Sequence, residues 1–473
     1  MDNSSRKGNP FVILLLAIST LIAVSLLPLS ILTNGWIQDY NLFSEIVEND
    51  TLIDVYSTDT MSQPQIQSVE TVVPIIEDDS ITNEFVSEPI NSDSNYIAVD
   101  TLINPRQGDK IIIEDYTGNG TALYNLKKAL ANKESLNRPV RIAMLGDSYI
   151  EGDIFSQHIR ELLQDEYGGA GVGYVNMHSE FPGFRRSLKQ SSSGWNVYDL
   201  VKGRVSNKLF TISQQYSVCR GNSQSTYKGT NYARHLDSWQ SSKFVFLTSR
   251  NANITLTTSN KTQENAVTAN SAKLQCLEIS DTTDLFKVKI NADSLIGIGV
   301  WLENKKGITF DCMSTRGNSG TTLSRLNKDL AQQLSQYIAY DLIILEFGMN
   351  AMSAGQKDFS GYIHTMENVI AKIRQCYPNT DILIMGIGDR ASKRGNEVHT
   401  MSNVPIMINA QRHLAQKCRC AFWDTREAMG GEDASVKWAE QKLVNKDYIH
   451  LSYTGGRKLA AEFVKSLKHA LND

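Results

Sequence analysis

Short apolar runs alternating with amphipathic stretches fill the second half of this chain, and that alternation leaves few folds open. Val140–Leu145 (VRIAML), Leu342–Phe347 (LIILEF), Ile382–Ile387 (ILIMGI) and Ala421–Trp423 (AFW) are strand-like in length and apolar on both faces. Helical spacing of apolar residues occupies the intervals, at Ile150–Tyr167, Thr322–Ile338, Tyr362–Gln375, Pro405–Gln416 and Gly456–Leu471. Strands buried on both faces and separated by helices call for a parallel sheet covered front and back. The expected fold class is therefore α/β, a three-layer doubly wound parallel sheet, with ligands gathering at the carboxyl ends of its strands.

Between about Arg185 and Lys306 the pattern changes. KFVFLTS, ANITLTTS, KLQCLEIS, LFKVKIN and IGIGVWLE are short, β-branched segments separated by Asn, Ser, Asp and Gly. That is the pattern of antiparallel strands, most simply a sandwich or jelly roll. It interrupts the α/β alternation after the first helix, so an inserted all-β sandwich is expected over 185–306, flanked by the two parts of the α/β domain at 106–184 and 307–473.

The front of the chain follows other rules. Phe11–Leu32 is 22 residues without a charge, enough to cross a hydrocarbon core of about 30 Å as a helix. Arg6 and Lys7 precede it, whereas Thr33–Pro105 carries 14 Asp and Glu and no Lys or Arg. The positive-inside rule then puts residues 1–10 in the cytoplasm, makes 11–32 a transmembrane signal-anchor, and leaves the rest outside, periplasmic or extracellular. A cleaved signal peptide is the competing reading, but its apolar core is normally shorter and ILTNGW is a poor cleavage site. Residues 33–105 read as a disordered acidic tether, roughly 45 Å from end to end if flexible. The remaining 368 residues hold 45 basic and 36 acidic side chains, a balance that gives no reason to expect a nucleic-acid partner.

Four short segments carry chemistry. Gly146-Asp147-Ser148 sits where the first strand meets the first helix, a junction that exposes a serine with its N–H near a helix N-terminus. Asp447-x-x-His450 precedes the last helix, and that spacing lets the carboxylate hold one imidazole nitrogen while the other faces a nucleophile. Gly317-Asn318-Ser319-Gly320 and Gly348-Met349-Asn350 each follow a strand, where small residues leave room for backbone or amide donors. Taken singly, each has a plain alternative: Asp and Ser cap helices, and Gly and Asn make turns. Together they form a nucleophile, two oxyanion donors, and a base with its orienter.

In this set the chain resembles the SGNH hydrolase family, the GDSL-type esterases. Ser148 in GDS matches the family nucleophile, Gly320 in SGTT the second-block glycine, Asn350 in GMN the third-block asparagine, and Asp447 with His450 the terminal DxxH. Ala351 departs from the Asp that many members carry after the Asn. GGAGVGY (Gly168–Tyr174), GVWLEN (Gly299–Asn304) and AFWDTREAMGG (Ala421–Gly431) resemble an exported branch that includes peptidoglycan O-acetylesterases. Members of that branch carry, after the first helix, an inserted β-sandwich resembling a carbohydrate-binding module.

The resemblance implies a catalytic set of Ser148, Asp447 and His450, and an oxyanion hole of the Ser148 and Gly320 N–H groups with the Asn350 amide. It implies an esterase that removes O-acetyl groups from a cell-wall or other extracytoplasmic carbohydrate polymer and needs no cofactor; the run 11–32 would tether it to the membrane. An O-acetyltransferase, or a glycan-binding protein with a vestigial esterase site, would carry the same residues.

Asp147 and Asp424 are further candidates for the pocket lining; Arg426 joins them because AFWD ends a strand, though a structural salt bridge explains that pair equally well. Trp195, Trp239 and Trp301 could stack on sugar, with core packing the simpler role. Export permits a disulfide between Cys376 and Cys418 or Cys420. Cys418-x-Cys420 has no second pair at zinc spacing, so no metal site is expected.

Overall fold

The computed structural model describes residues 105–200, 205–292 and 294–472. The apolar run 11–32, and the acidic stretch 33–105 except for Pro105, lie outside the described residues. Among the described residues no helix is long and apolar enough to cross a membrane.

Five parallel strands form the central sheet: β1 (Val140–Gly146), β2 (Ile308–Ser314), β3 (Leu342–Glu346), β4 (Asp381–Met385) and β5 (Ala421–Trp423). They lie in the order β2-β1-β3-β4-β5, and Glu114–Asp115 pairs antiparallel with the free edge of β5. Chain order therefore reverses direction between β1 and β3. In doubly wound sheets the crevice at such a switch point, at the carboxyl ends, is where ligands bind.

Alternate side chains build the two covering layers. Ala143, Leu145, Ile343 and Leu345 face one side with α3 (Lys328–Ser335), α4 (Ser360–Cys376) and α5 (Val404–Cys418). Ile142, Met144, Leu342 and Ile344 face the other with α1 (Tyr124–Ala131), α2 (Ser156–Tyr167) and α8 (Tyr453–Asn472), the last preceded by the short α6 (Thr425–Met429) and α7 (Ala434–Glu440). The three-layer α/β expectation matches this arrangement. The helix expected over 150–167 instead starts as a 3-10 turn, Glu151–Asp153, because Gly152 takes a left-handed φ of 66° and breaks the helix before α2.

Nine antiparallel strands lie between Gly173 and Glu303, the first (Gly173–Val175) ahead of the boundary at 185 read from composition. Hydrogen bonds join all nine into one sheet rather than the two separate sheets of a simple sandwich. The cause is the 14-residue strand Tyr216–Gly229. Over Asn222–Lys228 it pairs with Leu285–Asn291, and at Ser217–Val218 with Ile296–Gly297, so one strand bridges both halves. Phe244, Phe246, Leu256, Phe286, Val288 and Ile290 pack inside it.

Along Trp239–Thr248 and Ile296–Glu303 the opposite face of this sheet is covered as well. Val245, Leu247, Ile298 and Trp301 belong to the same buried cluster as β1, β3 and α3 to α5. A charged knot reinforces that seam. Arg141 on β1, fully buried, pairs with Glu303 at 2.6 Å and with Asp311 on β2 at 3.3 Å, while Lys243 reaches Glu303 at 2.8 Å. Trp301 Nε1 and the Tyr340 hydroxyl donate to Asp311. Burial raises both carboxyls, but the Arg141 and Lys243 charges overcome it at Glu303 and hold that group below the ordinary range, whereas Asp311, farther from the guanidinium, stays raised. Residues 105–472 accordingly form a single compact unit.

All six cysteines are free thiols, so no bond joins Cys376 to Cys418 or Cys420. Trp195, Trp239 and Trp301 are buried, each with its indole N–H donated to Ser225, Ser242 and Asp311 respectively; their role is packing, not sugar stacking.

Candidate active site

The expected chemical residues converge at the carboxyl ends of β1, β2 and β3. β1 ends at Gly146, where a Cβ would lie 2.7 Å from Glu346 Oε2 and 2.9 Å from the Glu346 backbone oxygen; no larger residue fits between the two strands. The chain then turns sharply. Asp147 Oδ1 accepts the Tyr149 N–H at 2.8 Å, and this short loop presents Ser148, partly exposed, at the top of the sheet. The Ser148 N–H has no partner among the described residues.

The second arm comes from the loop before α8. A bridge between Val444 and Leu451 closes it, Asn445 donates to the His450 carbonyl at 2.8 Å, and Tyr448 takes a left-handed φ of 57°. Inside the loop Asp447 Oδ1 accepts the Ile449 and His450 N–H groups at 2.9 and 3.0 Å, and Oδ2 meets His450 Nδ1 at 2.8 Å. His450 Nε2 lies 2.9 Å from Ser148 Oγ. Burial pushes the Asp447 carboxyl up, but the His450 hydrogen bond and charge and the two backbone donors outweigh it and leave the group below its ordinary value. A carboxylate held ionised against Nδ1 keeps the proton there and leaves Nε2 to accept one from the serine.

Gly320 and Asn350 border the same turn. Gly320 starts a 3-10 turn (Thr321–Arg325) with φ 86°, and a Cβ would sit 2.7 Å from the Phe347 ring. Its N–H donates to Asn318 Oδ1 at 2.9 Å, and Asn318 is itself held by Gln214 at 2.8 Å. Asn350, following Gly348, donates its amide to Asp147 Oδ2 at 2.7 Å and more weakly to the Asn318 carbonyl at 3.3 Å. Two of the three expected oxyanion donors, the Gly320 N–H and the Asn350 amide, thus rest on protein acceptors.

Asp147 lies beneath Ser148, 1% exposed, as the link between the serine turn and Asn350. Burial pushes its carboxyl up to about 6. Burial and the Asp147 charge also hold Glu346, at the end of β3, well above the carboxylate range. Asp424 is corrected: instead of lining a pocket it is buried, caps α6 through the Glu427 N–H, and pairs with Arg412 at 2.7 Å. Its position as the first residue after β5, just ahead of a helix, is a capping position. Arg426 faces the buried Asp389.

Sequence reasoning passed over Glu346 and Glu151. Glu346 was hidden as the last polar letter of an apolar run. Glu151, three residues after Ser148, pairs with Arg316, the residue that follows the end of β2 by two. Burial raises the Glu151 carboxyl, against the Arg316 and His450 charges.

Residues 299–458 match the family model described as the GDSL-like lipase/acylhydrolase family. The chain carries a GDSL-like lipase/acylhydrolase domain. The matched range holds Gly320, Asn350, Asp447 and His450; Ser148 lies upstream of it, beyond the antiparallel sheet, and reaches the others only through the fold. Among solved structures, one titled as a peptidoglycan O-acetylesterase in action is 22% identical, with a TM-score of 0.62 over 76% of this chain and 99% of the other. That share of the chain exceeds the α/β residues alone, so the likeness of fold takes in antiparallel strands as well. A family two carbohydrate esterase from Cellvibrio japonicus is 10% identical with a TM-score of 0.26, over 60% of this chain and 98% of its own. An acetyl xylan esterase is 19% identical with a TM-score of 0.27, over 34% and 81%. No curated protein matches the chain in sequence.

Proposed function

We propose that this chain is a serine esterase that removes O-acetyl groups from a carbohydrate polymer outside the cytoplasm, tethered to the membrane by Phe11–Leu32. The observation that carries the reading is the continuous relay Asp447 Oδ2–His450–Ser148 Oγ, at 2.8 and 2.9 Å. A relay of that geometry inside a GDSL-like domain is arranged for acyl transfer.

In the proposed reaction His450 Nε2 takes the Ser148 proton as Oγ bonds to the ester carbonyl carbon. The oxygen that gains charge is held by the Ser148 and Gly320 N–H groups and the Asn350 amide. When the C–O bond to the sugar breaks, the leaving sugar oxygen takes the proton from His450. Water then gives a proton to His450 as it attacks the acyl-serine, and collapse returns that proton to Ser148 and releases acetate. Asp447 stabilises the imidazolium in both halves. The acidic stretch 33–105 and the uncharged run before it support a tethered, extracytoplasmic site.

The test is turnover of 4-nitrophenyl acetate by the full chain. The unmutated protein should hydrolyse it, and Ser148→Ala should lose at least about a thousandfold in kcat while keeping its melting temperature. Equal turnover by the two proteins would remove Ser148 from the chemistry and the proposal with it.

A further inference from the structure

Beside the serine turn opens a cavity of about 300 Å³. Glu151 and Gly152, just after Ser148, form one wall; Ser314–Arg316, at the end of β2, form the second; the antiparallel sheet closes the third with Gln190 and with Asn176 and Gln215, which flank its strands. Ser314 pairs in register with Gly146, the last residue of the strand that leads into Ser148, so the cavity opens beside that strand's end. Its volume is at the small end of the range for organic ligands.

Over its mouth lie two aromatic rings. Among the described residues three large apolar side chains stand exposed, Tyr124, Phe181 and Phe184, and the last two both rim this cavity. Exposed aromatics are expensive to leave in water and cluster where something covers them. These two are built in place. The Phe184 ring lies 2.6 Å from where a Cβ on Gly152 would be, so only a glycine there leaves room for it. The Phe184 carbonyl accepts the Tyr453 hydroxyl from the start of α8. Arg316 lies 5.6 and 5.9 Å from the two ring centroids and is clamped by Glu151. The platform is thus fastened to the Ser148 arm on one side and the His450 arm on the other.

The polar lining sets the charge of the occupant. Both guanidiniums already have carboxylate partners, Arg316 with Glu151 and Arg185 with Asp153 at 3.1 Å. With both guanidiniums engaged, the amides of Asn176, Gln190 and Gln215 are left to meet the occupant, and they suit a neutral ligand rich in hydroxyls.

We infer that this cleft is a subsite for a neutral pyranose ring flanking the esterified sugar, with the apolar C–H face of the ring stacked on Phe181 and Phe184 and its hydroxyls turned to the antiparallel sheet. As a substrate subsite it rests on the esterase reading above; as a sugar site it stands on its own geometry.

The experiment is calorimetric titration of the full chain with the neutral tetrasaccharides of β-1,4-linked glucose, xylose and N-acetylglucosamine, and with tetragalacturonate as the anionic counterpart. At least one neutral tetrasaccharide should bind, more tightly than tetragalacturonate. Phe181→Ala and Phe184→Ala should each weaken it fivefold or more, and Phe181→Trp should restore it. Phe181→Ala and Phe181→Trp should keep kcat/KM for 4-nitrophenyl acetate within twofold, because that ester carries no flanking sugar to rest on the ring. No binding by any neutral sugar, binding unchanged in Phe181→Ala, or tighter binding of the anionic sugar overturns the inference. Phe181-dependent sugar binding without ester turnover overturns the esterase reading alone and upholds the cleft.

Discussion

Asp447→Asn offers the sharpest probe of the proposed relay, because the loop dictates which way the new amide must point. Asp447 Oδ1 accepts two backbone N–H groups, from Ile449 and His450. Only an oxygen can sit there, so the asparagine NH2 is forced toward His450 Nδ1, where Oδ2 stood at 2.8 Å. That amide donates to Nδ1, drives the imidazole proton to Nε2, and leaves Ser148 facing a donor instead of an acceptor. Recovering the working tautomer buries an N–H against an N–H, about 1–3 kcal/mol, and the charge-assisted bond to the imidazolium, about 1.5–3 kcal/mol, is lost as well. Together they amount to about 2.5–6 kcal/mol, or a factor of about 10²–10⁴ in rate, whose upper end is the scale known for this exchange in serine proteases. Asp447→Ala removes the carboxylate but imposes no donor, so only the second loss applies and the rate falls about 10–100-fold. The assay is kcat/KM for 4-nitrophenyl acetate at about pH 8, where an ordinary imidazole is neutral. The alanine variant should outpace the asparagine variant by tenfold or more. Equal rates, or asparagine the faster, would refute the tautomer argument.

Gly320→Ala should lower kcat at least tenfold, since φ 86° costs a non-glycine residue about 1–2 kcal/mol and the new methyl must displace the Phe347 ring now 2.7 Å away; steady-state kinetics on the same ester measure it. Asp147, with its carboxyl pushed up to about 6 by burial, holds its proton in the folded chain after the unfolded chain has lost it. The stability it contributes should therefore be lost as pH rises from about 4 to 6, and Asp147→Asn should show a smaller fall across that window, as thermal melts will read. Arg141→Met strips the buried Glu303 and Asp311 of their main counter-charge and should lower the unfolding free energy by about 3–5 kcal/mol, measured by urea titration.

How much of this was legible follows from how local each signal is. β1, β3, β4 and β5 are short runs buried on both faces, so composition alone marks them to within a residue or two. The nucleophile turn and the Asp447–His450 loop are equally local, each stabilised by hydrogen bonds between residues two or three apart. What lay beyond reach depends on partners distant in the chain. Nothing near Asp424 announces Arg412, and nothing near Arg141 announces Glu303, 162 residues away. The split of the helix at Gly152 is of the same kind. Its apolar spacing is helical, but Gly152 turns left-handed there with the Phe184 ring, 32 residues on, packed against it. The joining of nine strands into one sheet turns on where Tyr216–Gly229 changes partner, which alternating hydrophobicity does not encode.

The resting positions of the oxyanion donors bear on how the proposed reaction would be favoured over mere binding. The Gly320 N–H rests on Asn318 Oδ1, and the Asn350 amide on Asp147. A substrate carbonyl oxygen is neutral and competes with Asn318 for the Gly320 N–H on roughly equal terms, so the donor contributes little to holding the ground state. The oxygen of the tetrahedral intermediate is charged, and hydrogen bonds to it are about twice as strong as neutral ones. It takes the donor from Asn318. An interaction made in the transition state and withheld from the substrate raises kcat without tightening KM. The Gln214–Asn318 pair, buried in the seam where the antiparallel sheet meets the 3-10 turn of Gly320, keeps that competitor in place. The antiparallel sheet on this reading has two roles in the reaction: one wall of the sugar cleft, and the footing of the acceptor that makes the oxyanion hole selective for charge.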